Sequence, residues 1–515
     1  MRSNIPSSEY AEPHAPSQDL TTRTVTSLFW LFSSNFANTT MRLAIVPILA
    51  RILAPEAFGI AAAASVVTGF ASIFSNVGIA PALMRLENVE PRHTKTGLTI
   101  STLLGLLAGA ISIALAPWIA QFFNSPELTM VLYAQALLFP LRGLTVVCES
   151  MMQREMAFRR LAMIESVSYI VGYCLVAVTG ALAGWGVWAI IAGTMTQNLI
   201  RVVLVVFSRL DYARAGFDWD AARTLARDGS GFTAMRTLAY VATQLDYMIV
   251  GRFLGMDVLG LYTKAYELLT RPANTLTATI RRPLFAGLVS IQSQEARLRR
   301  TFMRAVSIMS LVFIPATPLA VILSPELVLV ILGDQWTEAI LPFRALSTAL
   351  YFVICGRITM TVLQARGVLL RGTYYYIFFA LAILVGAWVG QFWGIGGVAW
   401  GVAGAFFVSF LLSTALVLNN LQISWVAFAR IHARGVILAI GVLAVVWTIT
   451  ALVRPYDQPL LTLLAVGLVF GVVGLVLLVL APRRLLGNDT DWLMARRNAF
   501  LHTLAGLRRT KAGNG

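Results

Sequence analysis

Charge is in short supply in this sequence, and acidic charge most of all. Only 12% of its 515 residues are charged, and Asp and Glu number 24 against 40 Lys and Arg. A soluble globular protein carries about 25% charged residues, so with 58% hydrophobic residues this chain is excluded from that class. Cysteine is nearly absent. Cys148, Cys174 and Cys355 all fall in apolar runs, and an odd number of such thiols argues against a disulfide framework and reads them as small apolar residues. Histidine is scarce too. His14, His93, His432 and His502 are placed in tails or loops without metal-ligand spacing, so no bound metal, cofactor or histidine-based active site is expected. Residues 1–20 lack the apolar core and small-residue cleavage site of a secretory signal and read as a cytoplasmic tail.

What is abundant is apolar runs long enough to cross a bilayer. Fourteen of them, each about 20 residues or more, run from 25–52 to 459–481. The alternate connectors differ sharply in charge. One side holds 28 of the 40 Lys and Arg, the other only Arg51, Arg252 and Arg454. By the positive-inside rule both termini are cytoplasmic, which requires an even number of spans. Most of the +16 net charge is therefore topological, and a nucleic-acid partner is not expected. Two basic stretches, "FDWDAARTLAR" (217–227) and "DWLMARRNAFLHTLAGLRR" (491–509), have the amphipathic spacing of helices lying beside anionic lipids.

The chain also repeats itself. "RILAPEAFGI" (51–60) recurs as "RFLGMDVLGL" (252–261), aligning Gly59 with Gly260 at an offset of 201, and both are read as turn glycines. "GWGVWAIIAG" (184–193) resembles "GIGGVAWGVAG" (394–404) at an offset of 211, which Gln153 and Gln364 share. Each half then holds six helices, and an even number makes the halves parallel repeats about an axis along the membrane normal. The organisation expected is a tail (1–20), a six-helix lobe (21–210), an amphipathic linker (211–229), a second lobe (230–420), helices thirteen and fourteen (421–482) and a basic cytoplasmic tail (483–515).

The stretches "RILAPEAFG", "FSNVGIAPAL" (74–83) and above all "MMQREMAFRRLAMIE" (151–165) resemble the signatures of Wzx-type oligosaccharide flippases. These form the polysaccharide-transporter family of the multidrug/oligosaccharidyl-lipid/polysaccharide exporter superfamily, and the likeness is to its colanic-acid-type branch over about residues 20–480. The resemblance implies an all-α membrane protein in a MATE-like, V-shaped arrangement that alternates access between the two faces. It implies a polyprenyl-diphosphate-linked oligosaccharide as cargo, carried from the cytoplasmic to the periplasmic leaflet of the bacterial inner membrane for exopolysaccharide or lipopolysaccharide biosynthesis. A coupling ion (H+ or Na+) and the polymerase and export machinery are the further partners it implies. Gln153, Arg154, Phe158 and Arg159 match the family's inner-loop pattern, and a structural role in that turn is the stronger reading for them.

Charges inside the spans are the candidate site. Seven cations stand out, Arg42, Arg142, Arg236, Lys264, Arg271, Arg344 and Arg357, against Glu149, Glu165, Asp246 and Glu267. Each cation facing lipid would cost about 3 kcal/mol at the bilayer centre, so most must face the protein interior or water. Their spacing agrees: Asn35, Asn38 and Arg42; Arg142, Thr145 and Glu149; Thr233, Arg236, Tyr240, Thr243 and Tyr247; Lys264, Glu267, Arg271 and Asn274 each share a helix face. Guanidinium groups match phosphate oxygens with forked donors, so Arg42, Arg142, Arg236, Arg271 and Arg344, with Asn35 and Asn38, are the expected diphosphate ligands. Asp246, Glu267 and Glu149 are the expected ion-coupling carboxylates. Glu267 is expected to pair with Lys264 and Arg271, Arg142 with Glu149, and Glu165 to lie at the interface.

Two alternatives share the fold: a lipid II flippase and a cation-coupled multidrug exporter. The exporter would want an acidic, aromatic cavity rather than one rich in arginine. An enzyme is not expected, because every outward connector is short.

Overall fold

The computed structural model describes Met41 and residues 44–480 apart from Val77, Glu87, Gly367, Val368 and Asp457. Asn35, Asn38, Arg42, both expected tails and the stretch 491–509 lie outside the described residues, as does the side chain of Arg236.

Among the described residues every regular element is helical. In chain order they are α1 (44–52), α2 (Pro55–Asn76), α3 (Ile79–Arg85), α4 (Pro91–Phe122), α5 (Glu127–Ala136), α6 (Leu138–Arg154) and α7 (Phe158–Tyr169). A π-helical stretch, Ile170–Ala177, leads into α8 (Val178–Leu182), followed by α9 (Val187–Ser208), α10 (Trp219–Ala242), α11 (Leu245–Phe253) and α12 (Met256–Ser290). Then come α13 (Glu295–Ile322), α14 (Ser324–Leu332), α15 (Ile340–Ser347), α16 (Leu350–Ala365), α17 (Leu369–Gly390), α18 (Gly394–Leu421), α19 (Trp425–Val453) and α20 (Pro459–Leu480). Seven helical segments are by length and composition able to cross a membrane, and one of them, Tyr374–Leu421, has 48 residues, enough for two crossings. The bent pair α15–α16 adds another. The chain is a multi-pass membrane protein.

Several helices are longer than the spans expected of them, because the hydrogen-bonded ladder continues past the apolar run. In α4 the helix begins at Pro91 and takes in Arg92 and Lys95. In α19 it begins at Trp425, where the Ser424 hydroxyl accepts from Ala427 N at 3.2 Å and caps the first turn. His93 and His432 consequently sit in helices rather than in loops. The stretch 217–227 is not a separate linker helix, since α10 runs unbroken from Trp219 to Ala242. Its amphipathic character is real: Ala221 and Leu225 are buried, while Phe217 and Trp219 are exposed.

By packing, the chain forms two compact units. One comprises the described residues up to Ile52 with Val67–Gln121 and Ser125–Thr237; the other comprises Leu53–Val66, Phe122–Asn124 and Leu238 onwards. In the first, Ile79, Ala82 and Leu83 pack with Leu98, Val147, Met151 and Leu225. In the second, α17 and α18 approach so closely that a Cβ on Gly386 would lie 2.5 Å from Gly401 O. Lipid tails give apolar side chains no net drive to associate, so such small-residue contacts do the packing.

The internal repeat has structural counterparts. The helix break at Leu137, between α5 and α6, lies 211 residues before the break at Thr348 between α15 and α16. That second break bends the chain by 46°. There the Ser347 and Thr348 hydroxyls return to the carbonyls of Phe343 and Ala345 at 2.7 and 2.6 Å, a local competition that loosens a helical ladder. Gly59 and Gly260 are not turn glycines. Each is the fifth residue of its helix, α2 and α12, and neither belongs to the positive-φ glycines.

Candidate functional site

The first unit carries a polar cluster in its interior, built by α6, α7 and α9. Arg142, Thr145 and Glu149 follow one another at helical spacing on α6 and line one cavity of about 190 Å³ with Asn198 and Arg201 of α9. Glu149 does not pair with Arg142. Arg201 takes both its oxygens, Nε to Oε1 at 2.8 Å and Nη2 to Oε2 at 3.1 Å, and reaches Glu165 Oε2 with Nη1 at 2.9 Å. One guanidinium thus bridges two carboxylates through three of its donors, the forked geometry that lysine lacks. Arg142 is left without an ion pair among the described residues; its Nε donates to Asn198 Oδ1 at 3.3 Å. Asn198 is in turn oriented by donating to Thr194 O at 2.7 Å.

Arg201 escaped the sequence reading although it lies within the 186–208 span. The signal was present in its spacing, since Thr194, Asn198 and Arg201 recur at four and three residues. Glu165 of α7 is likewise drawn into the cluster.

In the second unit the site is built around α12. Lys264 Nζ meets Glu267 Oε2 at 3.0 Å and Arg271 Nη2 meets Glu267 Oε1 at 2.9 Å, so the three form one chain along a helix face. The Lys264 ammonium also stands 4.4 Å from the centroid of the Phe58 ring, a cation–π contact. Two turns on, Asn274 accepts from Arg357 Nη1 of α16.

Beyond this triad opens a cavity of about 380 Å³. Its walls carry Tyr266, Phe352, Tyr375, Tyr376, Phe379, Phe406 and Phe410, and its polar groups are Thr243, Asn274, Thr277, Arg281, Arg357, Gln364 and Ser409. Among the described residues its lining therefore carries two guanidinium groups and no carboxylate. The break between α10 and α11 opens on to it at Thr243, whose hydroxyl turns back to Tyr240 O at 2.9 Å. Irregular backbone at membrane depth is tolerated where it lines such a cavity.

Asp246, just past that break, is 3% exposed. Its Oδ2 accepts from the Tyr262 hydroxyl at 2.9 Å, and its Oδ1 has no hydrogen-bond partner among the described residues. Tyr247, Tyr262 and Tyr266 stack and edge against one another beside it. Arg344 lies elsewhere, in a groove with Arg454 between α13, α15 and α19, where its Nε donates to Ser324 Oγ at 3.0 Å.

The inner-loop motif serves the backbone. Arg154 Nη1 donates to Leu83 O at 3.0 Å and Leu86 O at 2.5 Å, satisfying carbonyls at the end of α3 that the helix itself leaves open. Its neighbour Glu155 pairs with Arg209 and accepts from the Tyr212 hydroxyl at 3.1 Å.

Residues 48–341 match the sequence model of a family described as polysaccharide biosynthesis protein. The lipopolysaccharide biosynthesis protein WzxC of Escherichia coli (strain K12) is 25% identical over 295 residues, 57% of this chain and 60% of that protein. The succinoglycan biosynthesis transport protein ExoT of Rhizobium meliloti (strain 1021) is 26% identical over 320 residues, 62% of this chain and 64% of that protein. The match therefore spans about three-fifths of each relative's length. Among solved structures, the lipid II flippase MurJ in an inward closed conformation superposes with a TM-score of 0.68 at 14% identity, over 85% of this chain and 98% of that one. An inward-facing MATE-family multidrug transporter gives 0.59 at 13% identity, over 76% and 99%. At these identities the likeness is one of fold.

Proposed function

The chain belongs to the polysaccharide biosynthesis protein family matched over residues 48–341, and on that premise we propose that it is a flippase for polyprenyl-diphosphate-linked oligosaccharides. It moves them from the cytoplasmic to the periplasmic leaflet of a bacterial inner membrane by alternating access, for exopolysaccharide or lipopolysaccharide biosynthesis, with both termini cytoplasmic.

The observation that carries this reading is the second unit's cavity, which among the described residues combines many aromatic faces with Arg281 and Arg357 and no carboxylate. Guanidinium donors suit a diphosphate, and tyrosine and phenylalanine rings offer flat apolar faces to sugar rings. Arg357 and Arg281 hold the diphosphate, and Arg271 contributes from the triad. Arg142 is the anion ligand of the first unit, because Arg201 has already taken the acids there. Arg42 and Arg236, with Asn35 and Asn38, remain part of the proposed phosphate path. Asp246 is the proposed coupling carboxylate, with Glu267 and Glu149 committed to ion pairs. A multidrug exporter would need an acid among those aromatics, and the described lining residues include none.

The test replaces Arg357 by Gln in the producing cell, with lipid-linked intermediates extracted and assigned to leaflets. Accumulation on the inner leaflet at normal protein abundance supports the reading. Normal export at normal abundance overturns it.

A further inference from the structure

A second arginine-bearing groove of the second unit has nothing to do with the aromatic cavity. It holds about 870 Å³ and is walled by Val321 and Ile322 of α13 and by Leu443, Trp447 and Ala451 of α19. Arg344 and Arg454 stand at one end of it. Arg454 follows α19 directly, whereas Leu443 lies eleven residues back, about 16 Å deeper along the helix. The groove is thus amphipathic along its length: cationic where the helices end, apolar for roughly the depth of one leaflet. The connectors' charge asymmetry assigns the cationic end to the outer leaflet.

Among the described residues the charges at that end do not cancel. Glu326, 3% exposed, gives both oxygens to Arg454, at 2.7 and 3.2 Å. Arg454 Nη2 also donates to Ile322 O at 2.7 Å. Arg344 is exposed, and Ser324 Oγ, at 3.0 Å from Nε, is its partner among the described residues. That serine already donates its own proton to Val321 O at 2.9 Å. Among the described residues both terminal nitrogens of Arg344 are left for a ligand, and Arg344, Arg454 and Glu326 together carry one net positive charge. Trp447, 63% exposed, offers the wall beside them an amphipathic ring.

We propose that this groove binds an anionic phospholipid of the surrounding bilayer, its phosphate on the Arg344 fork and an acyl chain along Trp447 and Leu443. Charge complementarity selects the occupant. A phosphatidylglycerol carries the single negative charge that the group lacks, and a phosphatidylcholine carries none net. Snorkelling of Arg344 into water is the competing account, and it predicts no preference between the two lipids.

The full chain, purified in detergent, is titrated with phosphatidylglycerol and phosphatidylcholine of identical acyl chains, and bound lipid is counted by native mass spectrometry. Phosphatidylglycerol is expected to bind about fivefold more tightly, the preference that one arginine near a membrane surface supplies. Arg344→Gln should erase the preference and Arg344→Lys should retain part of it. Equal binding of both lipids, or an undiminished preference in Arg344→Gln, overturns the proposal. Competition by sn-glycerol 3-phosphate as strong as that by phosphatidylglycerol would make this a free-phosphate site, and tighter binding of polyprenyl phosphate would replace the occupant; either result overturns it. If Arg344→Gln does not accumulate, Trp447→Ala decides: it should weaken both lipids while the preference survives, and unaltered binding of both overturns the proposal.

Discussion

A Cβ placed on Gly59 would sit 1.8 Å from the carbonyl oxygen of Met256, and one on Gly260 would sit 1.9 Å from that of Pro55. Each glycine therefore lies against the first residue of the other's helix, and the two contacts exchange residues 201 apart. Such reciprocity is what a two-fold relation between repeats produces. The requirement for glycine here is close approach, not backbone conformation, because both residues are helical. Gly59→Ala and Gly260→Ala should each lower the thermal midpoint, at the overpacking scale of about 1–3 kcal/mol. The double variant should cost less than the sum, since one methyl already parts the helices. Additive effects, or a single variant as stable as the parent, would show that the contact does not hold these helices.

Periodicity and charge made much of this legible in the sequence. Lys264, Glu267 and Arg271 recur at three and four residues and do form one ion-pair chain, because a single helix face fixes both ends of each pair. Partners on other helices have no such code. Spacing puts Arg142 and Glu149 on a common face of α6, but it says nothing of α9, whose Asn198 and Arg201 are the groups they meet. The 201-residue repeat was visible, yet its glycines read as turns because sequence does not reveal which carbonyl will lie beneath a missing Cβ. His432 was placed in a loop because Arg430 and Arg434 depress the local hydropathy. The helix nonetheless continues through it, and its Nε2 lies 2.5 Å from the Tyr351 hydroxyl.

Asp246 offers a test of coupling. The groups around it are Tyr262, which hydrogen-bonds to it, Tyr247 and Tyr266, with Glu267 and Arg271 as the charges near Tyr247. Neither cation of the triad pairs with it, as both are engaged with Glu267. Asp246→Asn keeps an acceptor for Tyr262 and removes the proton. Abundance should be preserved, while flipping in proteoliposomes should lose its response to an imposed pH gradient. A response to Na+ that disappears in this variant would instead assign the site to sodium. Unchanged responses to both ions would remove Asp246 from the coupling step.

Arg357 and Asn274 test whether the cavity's arginines are graded in their need for a fork. Arg357 is held by Asn274 at one nitrogen, which orients the remaining donors into the cavity lining. Lysine keeps the charge without the fork, and glutamine keeps neither. Export rate should therefore fall in the order parent, Arg357→Lys, Arg357→Gln. Asn274→Ala should act in the direction of Arg357→Lys, because it frees the guanidinium from its orientation. Equal export by Arg357→Lys and Arg357→Gln would mean that charge without the fork has no effect at this position, and export by both at the parent rate would mean that neither charge nor geometry there matters.

The two arginines of the first unit's polar cluster should separate stability from transport. Arg201 holds Glu149 and Glu165, so removing it takes from both carboxylates the guanidinium that bridges them. Breaking a buried pair from one side costs about 3–5 kcal/mol, and the 37% exposure of the Arg201 side chain will reduce that through solvent screening. Arg201→Met should accordingly lower membrane abundance, and Glu149→Gln in the same chain should restore part of it by removing one stranded charge. Arg142 has an amide, not an acid, as its partner. Arg142→Gln strands no charge, so abundance should hold while inner-leaflet intermediates accumulate. The same drop in abundance for Arg142→Gln and Arg201→Met, with transport per molecule unchanged in both, would make the whole cluster a packing device and remove Arg142 from the anion path.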